Sequence, residues 1–144
     1  MGTYKVALVG AGGKMGCRLT DNLKSAQYQM HYLEVSEAGI ERLAGRGIKV
    51  SLAEDVIPKA DIVILAVPDI YIGNVAAEMV QQFKPGTVVV TLDPAAAVGG
   101  HLPKREDISY FVSHPTHPSV FNWEEDKKKH FDYFGEITGP QAIV

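Results

Sequence analysis

The chain has 144 residues, of which 46% are hydrophobic and 22% charged, enough for one globular domain with a buried core. No apolar run approaches the roughly 20 residues that cross a bilayer, which argues against a membrane protein. The net charge of -3 lacks the positive field that binds nucleic-acid phosphates. The single cysteine and the lack of a signal-peptide pattern predict a cytoplasmic location.

Short apolar runs alternate with amphipathic segments, which predicts alternating strands and helices. The predicted strands are Tyr4–Val9, Tyr28–Val35, Ile48–Ser51, Asp61–Val67, Thr87–Asp93 and Ile108–Val112. The predicted helices are Met15–Leu23, Ser36–Ala44 with Ser36 as its N-cap, and Tyr71–Phe83. Strands that are apolar on both faces and separated by helices predict a doubly wound parallel sheet of the α/β class.

Four glycines lie in the segment VGAGGKMG at residues 9–16, here called the glycine turn, which joins the first strand to the first helix. Bare backbone at this point lets a pyrophosphate approach, and the helix N-terminus offers N–H groups to the anion. The predicted cofactor-binding residues of the turn are Gly10, Gly12, Gly13, Lys14, Met15 and Gly16. From Gly10 onward the glycines fit the spacing G-x-x-G-x-x-G, whereas a P-loop is excluded because Met15 stands where Ser or Thr is required. A glycine-rich turn without a ligand stays the alternative.

A carboxylate, Glu34, lies at the end of the second strand, eighteen residues after Gly16. At this spacing a carboxylate accepts hydrogen bonds from the adenosine ribose and repels a 2′-phosphate. No arginine follows directly, so the sequence predicts NAD rather than NADP in a Rossmann-like NAD(P)-binding domain. The alternative is that Glu34 only solvates the end of the strand, with Glu37 as a competing carboxylate.

The loops after the fourth and fifth predicted strands also carry candidate site residues. Val67, Pro68 and Asp69 leave the fourth strand at the edge where open α/β sheets bind ligands, so they are predicted to contact the cofactor. Asp69 is also a candidate N-cap for the helix near Tyr71. Asp93 is either a helix cap or a substrate contact.

Two histidines follow the sixth predicted strand in the segment SHPTHPSVF at residues 113–121, here called the histidine loop. Oxidation of an alcohol needs a base that takes the hydroxyl proton while hydride leaves the carbon, and imidazole titrates in the useful range. His114 is the first candidate for this base, with His117 beside it. A surface turn and half of a zinc site are the alternatives, but two imidazoles do not complete a zinc site, and no metal is predicted.

Five segments together, VALVGAGGKMG, LEVSEAG, ILAVPD, VTLD and SHPTHPSVF, resemble the dinucleotide domain of the 6-phosphogluconate dehydrogenase superfamily. The His-Pro pair after the sixth strand is similar to that of prephenate dehydrogenases, whose histidine assists substrate oxidation, and His114 matches it. The fuller HPTHPSVF, with VSEAG behind the second strand, looks most like D-apionate oxidoisomerases. That resemblance implies NAD-dependent oxidation of a branched sugar acid, with rearrangement to a 3-oxo acid.

Proteins of this superfamily carry a second, mostly helical domain that completes the substrate pocket and usually the dimer. Residues 1–144 are therefore expected to be the dinucleotide-binding domain of a longer, homodimeric protein that acts on a small hydroxy acid. The runner-up functions are a prephenate-type or other β-hydroxyacid dehydrogenase and an NAD-sensing module without catalysis. The histidine loop separates enzyme from sensor, because a sensor has no use for a base beside the nicotinamide.

Overall fold

The structure is a computed structural model that describes residues 3–116, 123–132 and 142–143. The chain divides into two compact units, Met1–Val112 and Ser113–Val144. No helix in the described part of the chain is long and apolar enough to cross a membrane.

The first unit is built on a five-stranded sheet in which every neighbouring pair of strands is parallel. Its strands are β1 Lys5–Val9, β2 Gln29–Leu33, β3 Ile62–Leu65, β4 Val88–Thr91 and β5 Ser109–Val112. They lie in the order β2-β1-β3-β4-β5, so the chain crosses from β2 on one side of β1 to β3 on the other. In open α/β sheets the crevice for a ligand forms at such a switch point, outside the carboxyl ends of the strands.

Helices connect these strands. They are α1 Lys14–Leu23, α2 Glu37–Ala44, α3 Ala53–Val56, α4 Asp69–Met79 and α5 Ala95–Val98, and 3-10 turns at Ile57–Lys59 and Val80–Gln82 follow α3 and α4. Ser36 caps α2 as predicted, because its hydroxyl accepts the N–H of Gly39 at 3.2 Å. In the second unit the strand β6 Pro115–Thr116 pairs antiparallel with β7 Ala142–Ile143, and Lys129–Phe131 forms a 3-10 turn.

Apolar side chains cover both faces of the sheet. Successive residues of a strand point to opposite faces, and on β1 Ala7 packs in the cluster that contains Ile72 of α4. Its neighbour Leu8 packs in the cluster that contains Leu43 of α2. All four side chains are at most 1% exposed. The prediction of a doubly wound parallel sheet is confirmed.

An ion pair ties the amino ends of the strands together. The Asp61 carboxylate, just before β3, accepts the backbone N–H of Lys5 at 2.7 Å and the Lys84 ammonium at 2.5 Å. The backbone bond from Lys5 and the partnership with Lys84 lower the pKa of Asp61 below its ordinary value of 3.8.

One predicted strand, Ile48–Ser51, is wrong. In the structure this segment has no regular secondary structure, although its apolar residues suit a strand. The N–H of Ile48 donates to the carbonyl of Leu43 and so closes the end of α2 rather than joining a ladder. Ser51 donates one backbone bond to Tyr32 of the edge strand β2, and the chain then enters α3.

Candidate functional site

A cleft of about 920 Å³ opens at the carboxyl ends of β1, β2 and β3. Five of the residues predicted to bind a cofactor line it, namely Gly10, Gly13, Glu34, Val67 and Pro68. The cleft therefore lies at the switch point of the sheet, where the topology predicts a ligand.

The glycine turn brings bare backbone to the floor of the cleft. Gly10 has a φ of +75°, and a Cβ there would lie 2.7 Å from the carbonyl oxygen of Ala66. Its N–H and that of Ala11 both donate to the carbonyl of Leu33, at 2.9 and 3.1 Å, which fixes the turn to the end of β2. Only glycine meets both requirements at position 10, the positive φ and the close approach.

Two other glycines of the turn serve packing rather than the cleft. A Cβ on Gly12 would overlap the backbone of Gly39 in α2, and a Cβ on Gly16 would overlap the carbonyl oxygen of Gly10. Gly12, Gly16, Lys14 and Met15 are not among the described residues that line the cleft. Their part in cofactor binding stays a prediction.

Helix α1 begins inside the glycine turn and has no side-chain cap. Gly13 occupies the N-cap position and supplies no hydrogen bond from a side chain. The first N–H groups of a helix have no partner within it and carry the positive end of the helix dipole. An anion at the start of α1, just beyond Gly13, meets both, which suits the pyrophosphate of a dinucleotide.

The Glu34 carboxylate binds the protein backbone at the entrance of the cleft. Its Oε1 accepts the N–H of Val35, the N–H of Ser36 and the Ser36 hydroxyl, each at 2.9 Å. Its Oε2 accepts the N–H of Gly12, also at 2.9 Å, and so joins the end of β2 to the glycine turn.

Partial burial raises the pKa of Glu34, but these hydrogen bonds outweigh it and hold the pKa below the ordinary value of 4.5. The side chain is therefore an anion at neutral pH. Two lone pairs per oxygen leave Oε2 with capacity for one more donor, such as a ribose hydroxyl.

Apolar side chains line the same cleft as Glu34. Val35 is 97% exposed and Leu52 is 64% exposed, although both line the cleft together with Ile40 and Tyr71. Exposed apolar surface in a concave site is suited to a flat base. These residues were not predicted from the sequence. The signal that could have identified them is the apolar Val35, directly after the polar Glu34 at the end of the strand.

Asp69 does not act as an N-cap, so that interpretation was wrong. The helix α4 begins at Asp69 itself, two residues earlier than predicted, and Pro68 holds the N-cap position. Proline fixes the backbone there, and the exposed Asp69 carboxylate in the first turn interacts favourably with the helix dipole. Asp69 is not among the described residues that line the cleft.

The Asp93 side chain accepts a hydrogen bond at the start of the next helix, α5. Its Oδ1 accepts the N–H of Ala95 at 2.7 Å, in the first turn of α5. The capping alternative for Asp93 therefore has a physical basis, and its contact with a substrate stays a prediction.

The predicted catalytic histidines belong to the second unit. His114 is half-buried and lies two residues after β5, whereas His117 lies outside the described residues. The described residues contain no group of three His, Cys, Asp or Glu side chains that could hold a metal ion.

Arg105, the one arginine in the later half of the chain, makes hydrogen bonds within the domain. Its guanidinium donates to the carbonyls of Val80 and Phe83, at the two ends of the 3-10 turn that follows α4, and it forms two bonds to the Asp107 carboxylate at 2.6 Å. It closes the carboxyl end of a helix and is not placed to receive a substrate carboxylate.

A known family matches this site. The family described as the NAD binding domain of 6-phosphogluconate dehydrogenase matches residues 5–97, which include the glycine turn, Glu34 and the loop after β3. The chain belongs to this family. The family is described as an NAD-binding domain, so the predictions of a Rossmann-like domain and of NAD as cofactor are confirmed, whereas the preference for NAD over NADP stays a prediction. The match ends before the histidine loop, whose role it does not test.

Longer proteins are similar over nearly the whole chain. D-apionate oxidoisomerase of Cupriavidus necator is 49% identical over 141 residues, which is 97% of this chain and 51% of the relative. The enzyme of the same name from Rhizobium rhizogenes is 49% identical over 140 residues, with 96% and 51% covered. The chain spans about half the length of these relatives.

A solved structure shares the fold closely. It is a semialdehyde dehydrogenase NAD-binding protein from Cupriavidus necator in complex with calcium and NAD. The two chains are 48% identical with a TM-score of 0.84, over 99% of this chain and 52% of that one.

Proposed function

We propose that this chain binds NAD in the cleft and forms the cofactor half of an oxidoreductase that oxidises a hydroxyl of a small sugar acid such as D-apionate. The observation that carries the proposal is the Glu34 carboxylate, held beside the glycine turn with one acceptor position open. The 49% identity to D-apionate oxidoisomerases supports the choice of substrate class.

Different residues of the cleft bind different parts of the cofactor in this proposal. Glu34 accepts a hydrogen bond from the adenosine ribose, and its charge repels a 2′-phosphate. The pyrophosphate lies against the bare backbone of Gly10 and Gly13, where the first N–H groups of α1 and the helix dipole favour an anion. Apolar side chains beside Glu34, such as Val35 and Leu52, cover the adenine.

His114 is proposed as the general base. Oxidation of a CH–OH group to a carbonyl releases a hydride and a proton, and bound NAD accepts the hydride with both electrons. His114 takes the hydroxyl proton, which raises the electron density on oxygen as the carbon–hydrogen bond breaks. His117, three residues later, is the second candidate for this role.

The proposal extends to the whole protein, for which we infer a small hydroxy-acid substrate, a homodimer and a cytoplasmic location. The chain spans about half the length of its relatives, so the remaining length is proposed to complete the substrate site.

Calorimetric titration of the chain with NAD and then NADP tests the cofactor assignment. We expect NAD to bind more tightly than NADP, because Glu34 is anionic at neutral pH. Binding of neither nucleotide, or equal binding of both, would contradict the assignment.

Turnover of D-apionate with NAD by the whole protein, followed as NADH formation, tests the reaction. Exchange of a general base typically lowers kcat by about 10²–10⁴-fold, which is the loss we expect for His114→Asn. The control is His130→Asn, at an exposed histidine whose ring contacts the carbonyl of Glu124. A protein that binds NAD but turns over no hydroxy acid would instead be the NAD-sensing module.

A further inference from the structure

The backbone at Gly12 is held by two side chains of opposite charge. Its N–H donates to Glu34 Oε2 at 2.9 Å, and its carbonyl accepts from Arg42 Nε at 2.7 Å. The N–H of the next residue, Gly13, donates to the carbonyl of Gly10 at 3.0 Å. Both peptide planes that flank Gly12 are therefore fixed, and with them the two backbone angles of a buried glycine.

Helix α2 reaches the glycine turn because a glycine lies at the contact. A Cβ on Gly39 would come within 2.5 Å of the Glu34 side chain, and a Cβ on Gly12 would overlap Gly39 itself. Arg42 lies three residues after Gly39, on the same side of α2, so the close approach brings its guanidinium to the Gly12 carbonyl.

We propose that Arg42 is a positioning residue for the cofactor pyrophosphate, which it influences from outside the cleft by fixing the Gly12 carbonyl. This inference rests on the proposed binding of NAD in the cleft. The described residues that line the cleft do not include Arg42, so its action passes through the backbone.

Glycine has more backbone freedom than any other residue, so an unheld turn of four glycines samples many shapes. A carbonyl that rotates toward the cleft would place a partial negative charge beside the phosphates. Arg42 holds the oxygen on the side of α2, which pre-forms the turn and reduces the entropy lost on binding.

Exchange of Arg42 for methionine removes the donor but keeps a long, unbranched side chain. We expect the Kd for NAD and for ADP-ribose to rise about tenfold, because the turn must then be ordered when the ligand binds. The Kd for adenosine, which has no pyrophosphate, stays within about twofold. Arg42→Lys, which keeps a charged donor, recovers part of the loss.

The matched control is Arg46→Met, four residues later and just beyond the end of α2. Arg46 binds the Asp21 carboxylate at 3.2 Å and the backbone carbonyl of Arg42, so its exchange removes the same charge without touching Gly12. We expect the control to bind NAD, ADP-ribose and adenosine as the parent chain does.

Three results would overturn the inference. Unchanged NAD affinity in Arg42→Met, with tight binding by the parent chain, contradicts the role of Arg42 alone. An equal loss for adenosine and ADP-ribose contradicts action through the pyrophosphate. No NAD binding by the parent chain contradicts the proposed function, and this inference with it. If Arg42→Met does not fold, Arg42→Leu undergoes the same comparison, because leucine also lacks a donor for the Gly12 carbonyl.

Discussion

Exchange of Glu34 for glutamine keeps the shape of the side chain but removes its charge and one acceptor. Three donors meet Oε1, and the N–H of Gly12 meets Oε2. An amide has a single carbonyl oxygen, so when that oxygen serves the three donors, the NH2 group faces the N–H of Gly12. The buried Gly12 N–H then lacks an acceptor.

The cost follows from the type of bond that is lost. An unsatisfied buried donor costs about 1–3 kcal/mol, and each kcal/mol lowers Tm by roughly 3–4 °C in a chain of this size. A hydrogen bond from the ribose to a charged carboxylate contributes about 1.5–3 kcal/mol, so the Kd for NAD rises by about 10- to 100-fold. NADP gains relative to NAD, since the repulsion of its 2′-phosphate is removed.

Calorimetry with both nucleotides and thermal unfolding measure these two effects separately. The control is Glu37→Gln, which removes an exposed charge three residues after Glu34, in the first turn of α2. We expect the ratio of the Kd for NADP to that for NAD to fall at least tenfold in Glu34→Gln and to stay constant in Glu37→Gln. An unchanged ratio in the Glu34 variant would refute the assignment of the ribose to this carboxylate.

Three other exchanges test the surroundings of the site. Arg105→Met removes the donors at the carboxyl end of α4 and is expected to lower Tm by several degrees with NAD affinity unchanged; a weaker affinity would show that Arg105 serves the cofactor. Gly16→Ala forces a Cβ into the backbone of the glycine turn, so we expect NAD affinity to fall at least about tenfold by calorimetry. The control is Gly45→Ala, whose added Cβ has its nearest contact at 3.6 Å, and we expect it to leave the NAD affinity unchanged. The folded-state pKa of Asp61 is lowered, so the stability it contributes is present above its ordinary pKa of 3.8 and is lost as pH falls through the lower folded value. Asp61→Asn should therefore flatten the fall of Tm below about pH 4, and an equally steep fall would contradict this reading.

Features that depend on neighbours in the sequence were predictable. The strand, the glycine turn and α1 follow one another directly, so backbone sterics and helix-end chemistry identify them without knowledge of the packing. Glu34 was found in the same way, because the length of α1 fixes where β2 ends relative to the glycines. Its four bonds to the protein were not foreseen, because they depend on how the chain folds back after Val35.

Features that depend on packing between distant segments were not predictable. Ile48–Ser51 has the composition of a strand, but a strand needs a ladder of bonds to a partner. Ile48 bonds to the end of α2 instead, and Ser51 makes one bond to β2. Arg42 lies thirty residues from Gly12, and only the approach of α2 to the turn joins them. A sequence signal did exist in Gly39, since a glycine inside a helix costs stability and commonly marks a close contact.

The bond between Glu34 and Gly12 restricts how this domain can evolve or be engineered toward NADP. The obvious route, replacing the acidic residue with a small one, also releases one of the two peptide planes on which the pyrophosphate site depends. A gain in tolerance for the 2′-phosphate is therefore coupled to a looser grip on the phosphates shared by both cofactors. A single exchange at Glu34 shifts the preference, but an exchange that also keeps tight binding needs a neutral acceptor for the Gly12 N–H, so we expect it to require a pair of mutations.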